Sequence, residues 1–270
     1  MGGAGGGGVI CVLGDAHLDV VVSAPGPVAE ETDTPARTSV GVGGQAANVA
    51  AWVVALGGRA RLIAARAADL AGQLVAGELA RRGVDLVGPV IEGRTGVVVS
   101  LTDGLGRSML TDRGIGPRLA ADLLQEDWLQ GCGWLHLPAY SLVAEPVQAA
   151  ALAAAERAPR LSLDLSSTAA LQAYGITRFR ELITRLRPDV VFGNEAEAAL
   201  VGDLPGSELV VKLGARGVRA AGTVFPARPT QPVDATGAGD AFAAGYLVGG
   251  ITLGLEAAAR AVATMGAMPS

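Results

Sequence analysis

Short apolar runs alternate along this chain with longer segments in which apolar residues recur at helical spacing. The short runs predict buried strands at residues 9–13, 61–65, 134–137, 160–165, 189–192 and 208–213. The segments between them predict helices at 43–56, 68–82, 145–158, 168–186 and 194–201, and two further helices, 238–249 and 252–265, follow. Because strands that alternate with helices form sheets covered on both faces, the pattern predicts an α/β fold: a doubly wound, mostly parallel sheet flanked by helices.

Two regions interrupt this alternation, and neither supplies a helix. Residues about 19–42 contain strand-like stretches at 20–23 and 38–42, and residues 95–112 predict a hairpin of 97–101 and 107–111 around Asp103-Gly104-Leu105-Gly106. We expect both regions to form a small β-sheet lid, inserted within a single domain that spans 9–270. Residues 1–8 are almost all glycine and are expected to form a flexible start.

The composition limits the kinds of partner that the protein is expected to bind and the cellular compartment in which it is expected to act. The formal net charge is −5 and no basic tract occurs, which argues against nucleic acid as a partner. No uninterrupted apolar window of about 18 residues exists, which argues against a membrane span. Cys11 and Cys132 are far apart in sequence and lie in apolar surroundings, so we expect buried free thiols in a reducing compartment. With no signal peptide pattern at the start, the protein is expected to be cytoplasmic.

The stretch Asp234-Ala-Thr-Gly-Ala-Gly-Asp240 is a glycine-rich turn that runs directly into an apolar helix. Gly237 and Gly239 allow a tight turn and a close approach to a ligand, and the N–H groups at a helix start bind phosphate. An aspartate would repel a resting anion, but Asp240 can take a proton from a hydroxyl while those N–H groups stabilise a phosphoryl group. The motif thus indicates a kinase site; alternatively, Asp240 is an acid that only complements the helix dipole.

Polar residues with possible ligand roles also follow the first strand. Asp15 and Asp19 stand where the strand 9–13 ends, and carboxyl ends of strands are where ligands bind in open α/β sheets. Gly43 and Gly44 open the helix that carries Asn48, whose amide offers both a donor and an acceptor. The alternatives are that the two acids are solvated loop residues and that Asn48 pairs locally.

Two weaker motifs follow later strands. Asn194 and Glu197 lie three residues apart at a helix start, and an amide with a carboxylate suits Mg²⁺, although the same pair is ordinary helix capping. Lys212, Gly214 and Gly217 follow the strand 208–213, where they either approach a nucleotide or form a hairpin turn. The chain lacks a Gly-x-x-x-x-Gly-Lys-Ser/Thr phosphate loop, and its N-terminal glycines precede the first strand, so they form no dinucleotide fingerprint of an oxidoreductase.

Together and in this order, the motifs resemble those of the ribokinase-like (PfkB) family of carbohydrate and nucleoside kinases. Residues 234–240 are similar to the C-terminal signature of that family, Gly43-Gly44 with Asn48 to its N-terminal one, and Asn194 with Glu197 to its Asn-x-x-Glu motif. The resemblance implies that Asp240 is the base and that Gly237, Ala238 and Gly239 form the anion hole. It further implies acceptor binding by Asp19, Gly43, Gly44, Asn48 and Asp240, and ATP binding by Asn194, Lys212, Gly214, Gly217 and Gly239.

The same resemblance implies ATP and Mg²⁺ as cofactors, with Asn194 and Glu197 acting on Mg²⁺ indirectly. In some members K⁺ binds beside the anion hole, at positions corresponding to Asp234, Thr236, Ala261, Gly266 and Ser270. The implied reaction phosphorylates a hydroxymethyl group of a sugar or nucleoside, and the implied assembly is a homodimer through the lid. The alternative is a catalytically inactive sugar- or nucleoside-binding regulatory protein with the same fold.

Overall fold

A computed structural model of the chain describes residues 8–104 and 106–270, with the backbone alone of Arg107. The predicted flexible start lies outside the described residues apart from Gly8, and so does Leu105 in the turn of the predicted hairpin.

The strands are, in chain order, β1 Val9–Leu13, β2 His17–Ser23, β3 Arg37–Gly43, β4 Ala60–Ile63, β5 Asp85–Val87, β6 Thr95–Thr102, β7 Arg107–Gly114, β8 Cys132–Pro138, β9 Leu161–Asp164, β10 Val190–Asn194, β11 Glu208–Lys212, β12 Val218–Ala220 and β13 Thr223–Phe225. The helices are α1 Gln45–Ala55, α2 Leu70–Arg81, α3 Val147–Ala155, α4 Thr168–Tyr174, α5 Ile176–Leu186, α6 Glu195–Val201 and α7 Ala238–Val262.

The large sheet has the strand order β13-β12-β11-β10-β9-β8-β1-β4-β5. The run from β11 to β5 is parallel, and the antiparallel pairs that the structure describes in this sheet are β11–β12 and β12–β13. Helices α1 and α7 pack on one face around Trp52 and Phe242, and the opposite face buries Leu135, Leu163 and Phe179 with α3 and α5. The predicted doubly wound α/β fold is confirmed.

The small sheet has the order β3-β2-β6-β7, with β2 and β6 parallel and both outer pairs antiparallel. Strand alternation divides its side chains between two faces. Asp19, Val21, Ser100 and Arg113 on one face line a cavity against the large sheet. The two irregular sequence regions therefore do form one separate sheet.

Several element boundaries differ from prediction. The predicted helix 168–186 is two helices, because Gly175 between them adopts a φ of 98°. The predicted helix at 43–56 begins at Gln45, since Gly43 ends β3 and Gly44 has a φ of 104°. Strands β5, β12 and β13 have three residues each and were not predicted, because so short a run carries no periodicity.

The last helix, α7, is interrupted at Gly249 and Gly250, as the two predicted helices require. By length and composition alone, α7 is apolar enough to cross a membrane, but half of its most apolar window is buried inside the protein. Both cysteines are free thiols, as predicted; Cys11 is buried, whereas Cys132 is partly exposed.

Candidate active site

A cavity of about 1470 Å³ lies between the carboxyl ends of the large sheet and the inner face of the small sheet. Asp164, Asn194 and Lys212 end the neighbouring strands β9, β10 and β11, and all three line it. The start of α7 and the loop after β13 complete its wall. The cavity gathers every main motif found in the sequence, in agreement with ligand binding at the carboxyl edge of such sheets.

The turn before α7 depends on Gly237. This residue is the N-cap with a φ of 73°, and a Cβ there would lie 2.6 Å from the Cα of Ala267. The first intrahelical bond at this end runs from the Ala241 N–H to the Gly237 carbonyl, at 2.9 Å. The amides of Gly239 and Asp240 precede that bond and have no intrahelical acceptor, so they are available to an anion, whereas the Ala238 amide donates to the Ala235 carbonyl at 3.3 Å.

Asp240 accepts a hydrogen bond of 2.8 Å from Asn48 Nδ2, across 192 residues of sequence. The contact arises because α1 packs along α7, and it excludes the local pairing considered for Asn48. Burial raises the pKa of Asp240 to about 7, and the charge of Asp164 adds to the rise, whereas Asn48, Lys212 and Gln45 oppose it. A carboxyl group with this pKa accepts a proton readily near neutral pH.

Gln45 was missed by the sequence reasoning, although it lies on the same face of α1 as Asn48, three residues away. Its position directly after Gly44 in the motif was the available signal.

Asp19 lies on β2, and Gly43 makes the space for it. A Cβ on Gly43 would lie 2.1 Å from Asp19 Oδ2, so no larger residue fits beside this carboxylate. Gly44 adopts a left-handed φ, and a Cβ there would lie 2.4 Å from the carbonyl oxygen of Asp15. The glycines thus allow the acidic end of the cavity to form.

Asp15 follows β1 and forms an ion pair with Arg113 of β7, with Nη2 and Nε at 2.6 Å and 2.7 Å from Oδ2. Arg113 also donates to the Tyr140 carbonyl, at 3.3 Å. Both charged side chains are largely buried, so Asp15 is not a solvated loop acid. No local pattern identified Arg113 as a site residue, because its partner lies 98 residues away in the chain.

A second ion pair joins Lys212 Nζ to Asp164 Oδ2 at 2.7 Å, with Asp164 fully buried. Burial lowers the pKa of Lys212, but the charge and hydrogen bond of Asp164 outweigh it and leave that pKa raised. A Cβ on Gly239 would lie 3.1 Å from Lys212 Nζ, so the ammonium group lies directly beside the proposed anion hole. Asp164 was missed, although it ends a predicted strand as Asn194 and Lys212 do.

Asn194 and Glu197 form a reciprocal capping box at the start of α6. Glu197 N donates to Asn194 Oδ1 at 2.9 Å, and Asn194 N donates to Glu197 Oε2 at 2.8 Å. Burial raises the pKa of Glu197, and the charge of Asp164 adds to the effect. The pair therefore caps a helix and also presents oxygen atoms to the cavity, of the type that Mg²⁺ prefers.

The segment from Lys212 to Gly217 is the hairpin turn considered for it, because β11 and β12 are antiparallel. Gly217 has a φ of 97°, and a Cβ there would lie 1.9 Å from the Phe225 carbonyl oxygen. Gly214 has open space around it, and both glycines line the cavity. The hairpin interpretation is thus confirmed, and approach to a nucleotide stays a prediction.

The positions considered for K⁺ are only partly brought together. Asp234 accepts from Thr236 Oγ1 at 2.6 Å and from the Gly266 N–H at 2.9 Å. The Ala261 carbonyl accepts from Thr264, and Ser270 is exposed and does not line the cavity. Among the described residues, no cluster of three or more His, Cys, Asp and Glu side chains that would hold a metal ion occurs.

The arrangement unites three chemical elements within one cavity. They are a carboxylate with a pKa near 7, amides at a helix start and a buried ammonium group beside them. Such a combination is able to accept a proton at one point and to stabilise a negatively charged group at the next, as transfer of a phosphoryl group to a hydroxyl requires.

Known proteins resemble this chain over most of its length. The fructokinase of Salmonella typhimurium is 31% identical, over 88% of this chain and 83% of its own. The ATP-dependent ribose-1-phosphate kinase of Halopiger xanaduensis is 33% identical, over 78% and 74%. An E. coli protein described as a ribokinase II, solved with ATP and Mg²⁺, has the same fold, with a TM-score of 0.80, 22% identity and 97% and 94% coverage. The family model of the pfkB family carbohydrate kinases matches residues 9–268, and the chain belongs to that family.

Proposed function

We propose that this protein is an ATP- and Mg²⁺-dependent kinase that phosphorylates a hydroxymethyl group of a sugar or nucleoside. The observation that carries the proposal is Asp240, a carboxylate with a pKa of about 7 at the start of α7. Membership of a carbohydrate kinase family supports phosphoryl transfer, and the relatives support ATP as the donor.

In the proposed reaction the acceptor hydroxyl gives its proton to Asp240, and its oxygen attacks the γ-phosphorus of ATP. The bond from that phosphorus to the bridging oxygen breaks, and ADP leaves with the electron pair. The turn of Gly237, Ala238 and Gly239, with Lys212 beside it, is proposed to bind the oxygens of the moving group; the Ala238 amide would first leave its bond to the Ala235 carbonyl. A positioned base contributes about 10²–10⁴-fold, and charge stabilisation in a dry site contributes more.

The acceptor is proposed to occupy the end of the cavity that is lined by Asp19, Gly44 and Asn48, next to Asp240, with Gly43 packed against Asp19. The nucleotide occupies the other end, which contains Asn194, Lys212, Gly214, Gly217 and Gly239.

Mg²⁺ is proposed to act near Asn194 and Glu197. Because their backbone and side-chain groups already form the capping box, these residues would hold the ion through waters. Mg²⁺ would neutralise phosphate charge on the donor.

K⁺ is proposed beside the anion hole, where Asp234, Thr236 and Gly266 meet. Ala261 and Ser270 belong to the same proposal, although Ser270 requires a rearrangement of the C-terminal segment to reach the cavity. A rise in turnover on adding KCl, absent with NaCl at equal ionic strength, tests the site.

The small sheet is proposed to close over the acceptor as a lid and to pair with a second copy. Its outer face carries a continuous apolar row across the sheet, Val40-Val20-Val99-Leu110, with Val40 and Leu110 63% and 58% exposed. A homodimer would cover that row. Leu110→Lys should then shift the sedimentation coefficient toward that of a monomer.

We also propose that the partner of the protein is its small-molecule substrate and that the protein is cytoplasmic.

The direct test is an ADP-release screen over ribose, fructose, 2-keto-3-deoxygluconate, adenosine, cytidine and pseudouridine, with and without K⁺. We expect acceptor-dependent ADP formation that Asp240→Asn abolishes while ATP binding persists. The second candidate is a catalytically inactive binding protein with the same fold. It predicts acceptor-induced thermal stabilisation without ADP formation across the panel.

A further inference from the structure

The acceptor end of the cavity holds buried polar atoms that lack a protein partner. Among the described residues, these include the acceptor oxygens Asp15 Oδ1, Gln45 Oε1, Asn48 Oδ1 and Asp19 Oδ1, which lies 3.1 Å from the His17 ring nitrogen Nδ1 without a well-formed hydrogen bond. All four residues line the cavity. An unpaired buried acceptor is costly, so a ligand that supplies O–H or N–H donors satisfies this set, whereas an acceptor-only group does not.

The charged side chains at this end of the cavity also favour a ligand without negative charge. Asp15, Asp19 and Asp240 line it with carboxylates; Arg113 is paired with Asp15, the His17 ring lies 3.1 Å from Asp19, and Lys212 is paired with the buried Asp164. The Arg113 guanidinium is already engaged, because it donates twice to Asp15 Oδ2 and once to the Tyr140 carbonyl. An anionic acceptor would have to break this ion pair to gain a counter-charge, and it would leave Asp15 buried and unpaired.

We propose that the acceptor is an uncharged polyhydroxy compound, and that sugar phosphates and sugar carboxylates are excluded by the acidic, acceptor-lined end of the cavity. This inference rests on the proposed function. It separates two activities found among the relatives, since fructokinase by its name acts on a neutral sugar and ribose-1-phosphate kinase on an anionic one.

The selectivity has two physical sources. Hydroxyl donors satisfy the oxygens of Asp15, Asp19 and Asn48, and a site built to bind hydroxyl groups discriminates strongly against analogues that lack them. The carboxylates also repel a second negative charge directly. Together we expect a preference on the order of 100-fold in kcat/KM for the neutral compound of a matched pair.

The test compares acceptors that differ only by a charged group away from the phosphorylated hydroxyl. Suitable pairs are ribose with ribose 1-phosphate, fructose with fructose 1-phosphate, and adenosine with adenosine 3′-phosphate, each assayed by ADP release at fixed ionic strength. At least a tenfold preference for the neutral member of each used pair is expected. A smaller preference, or a preference for the anionic member, overturns the inference but leaves the kinase proposal intact. If no member of any pair is used, cytidine and pseudouridine are compared with their 3′-phosphates in the same way, and the inference falls if none of these neutral compounds is used either.

A variant tests the cause of the preference. Asp15→Asn removes one carboxylate and leaves Arg113 without its counter-charge, so the ratio of anionic to neutral kcat/KM should rise by about tenfold. Asp122→Asn is the matched control, because Asp122 is exposed and does not line the cavity. An unchanged ratio in folded Asp15→Asn would contradict the electrostatic explanation. If that variant does not fold, the wild-type comparison still decides the inference.

Discussion

Replacing the proposed base by its neutral isostere should make the protein more stable while it destroys activity. Burial raises the pKa of Asp240 from 3.8 to about 7, so the folded state holds the proton more tightly than the unfolded state does. A group of this kind destabilises the fold as the pH rises from about 4 to 7, because ionisation is then favoured only in the unfolded chain. In Asp240→Asn the penalty is absent, and the new amide oxygen can still accept the bond from Asn48.

The shift of about three pKa units sets a ceiling of about 4 kcal/mol on the gain at pH 8. At pH 5 only about 1–2 kcal/mol of it remains, because the folded carboxyl group is still protonated there. Urea unfolding of wild type and Asp240→Asn at both pH values measures the difference, with Asp122→Asn as the control. A variant that is no more stable than wild type at pH 8, or a gain that shrinks with rising pH, would refute the reasoning.

Three further predictions follow from the same geometry. The kcat/KM of wild type should rise with pH through about 7, because Asp240 must lose its proton to act as a base; a flat profile from pH 5.5 to 8.5 would contradict this. Gly237→Ala should cost more stability than Gly222→Ala, by about 1–3 kcal/mol in thermal or urea unfolding, since both glycines have left-handed φ values but only Gly237 lacks room for a Cβ. Gly43→Ala should raise KM for the acceptor about tenfold or more by displacing a neighbouring carboxylate, whereas Gly41→Ala, where the space is open, should leave KM unchanged in steady-state assays.

The fold was predictable because its physical signal is local. Runs such as 9–13 and 208–213 consist mainly of apolar residues, so each can be identified as a buried strand from its own composition. Because these strands alternate with helices, they are expected to form a parallel sheet. The short edge strand β12 carries no such signal, because three residues have no periodicity and pairing decides their conformation. Gly175 interrupts the predicted helix because its φ is left-handed. The helix-forming residues on both sides of it made the sequence pattern look continuous.

The site was only half predictable. Motif residues such as Asn48 and Asp240 were identified by type, but their hydrogen bond depends on how α1 and α7 pack, which no spacing encodes. Arg113 and Asp164 were missed for a related reason: each acts by pairing with a residue from a distant strand. Identifying a motif thus locates the chemistry, whereas the charge balance that selects a substrate emerges only from the folded chain.

The most direct test of the account is the rate at which phosphorylated acceptor forms with wild type and with Asp240→Asn, measured by mass spectrometry beside calorimetric ATP titrations. We predict that wild type forms the phosphoester and that the variant forms it about 10²–10⁴-fold more slowly at an unchanged Kd for ATP. A variant that retains a rate within tenfold of wild type, with the same Kd, would contradict the role of Asp240 as the base.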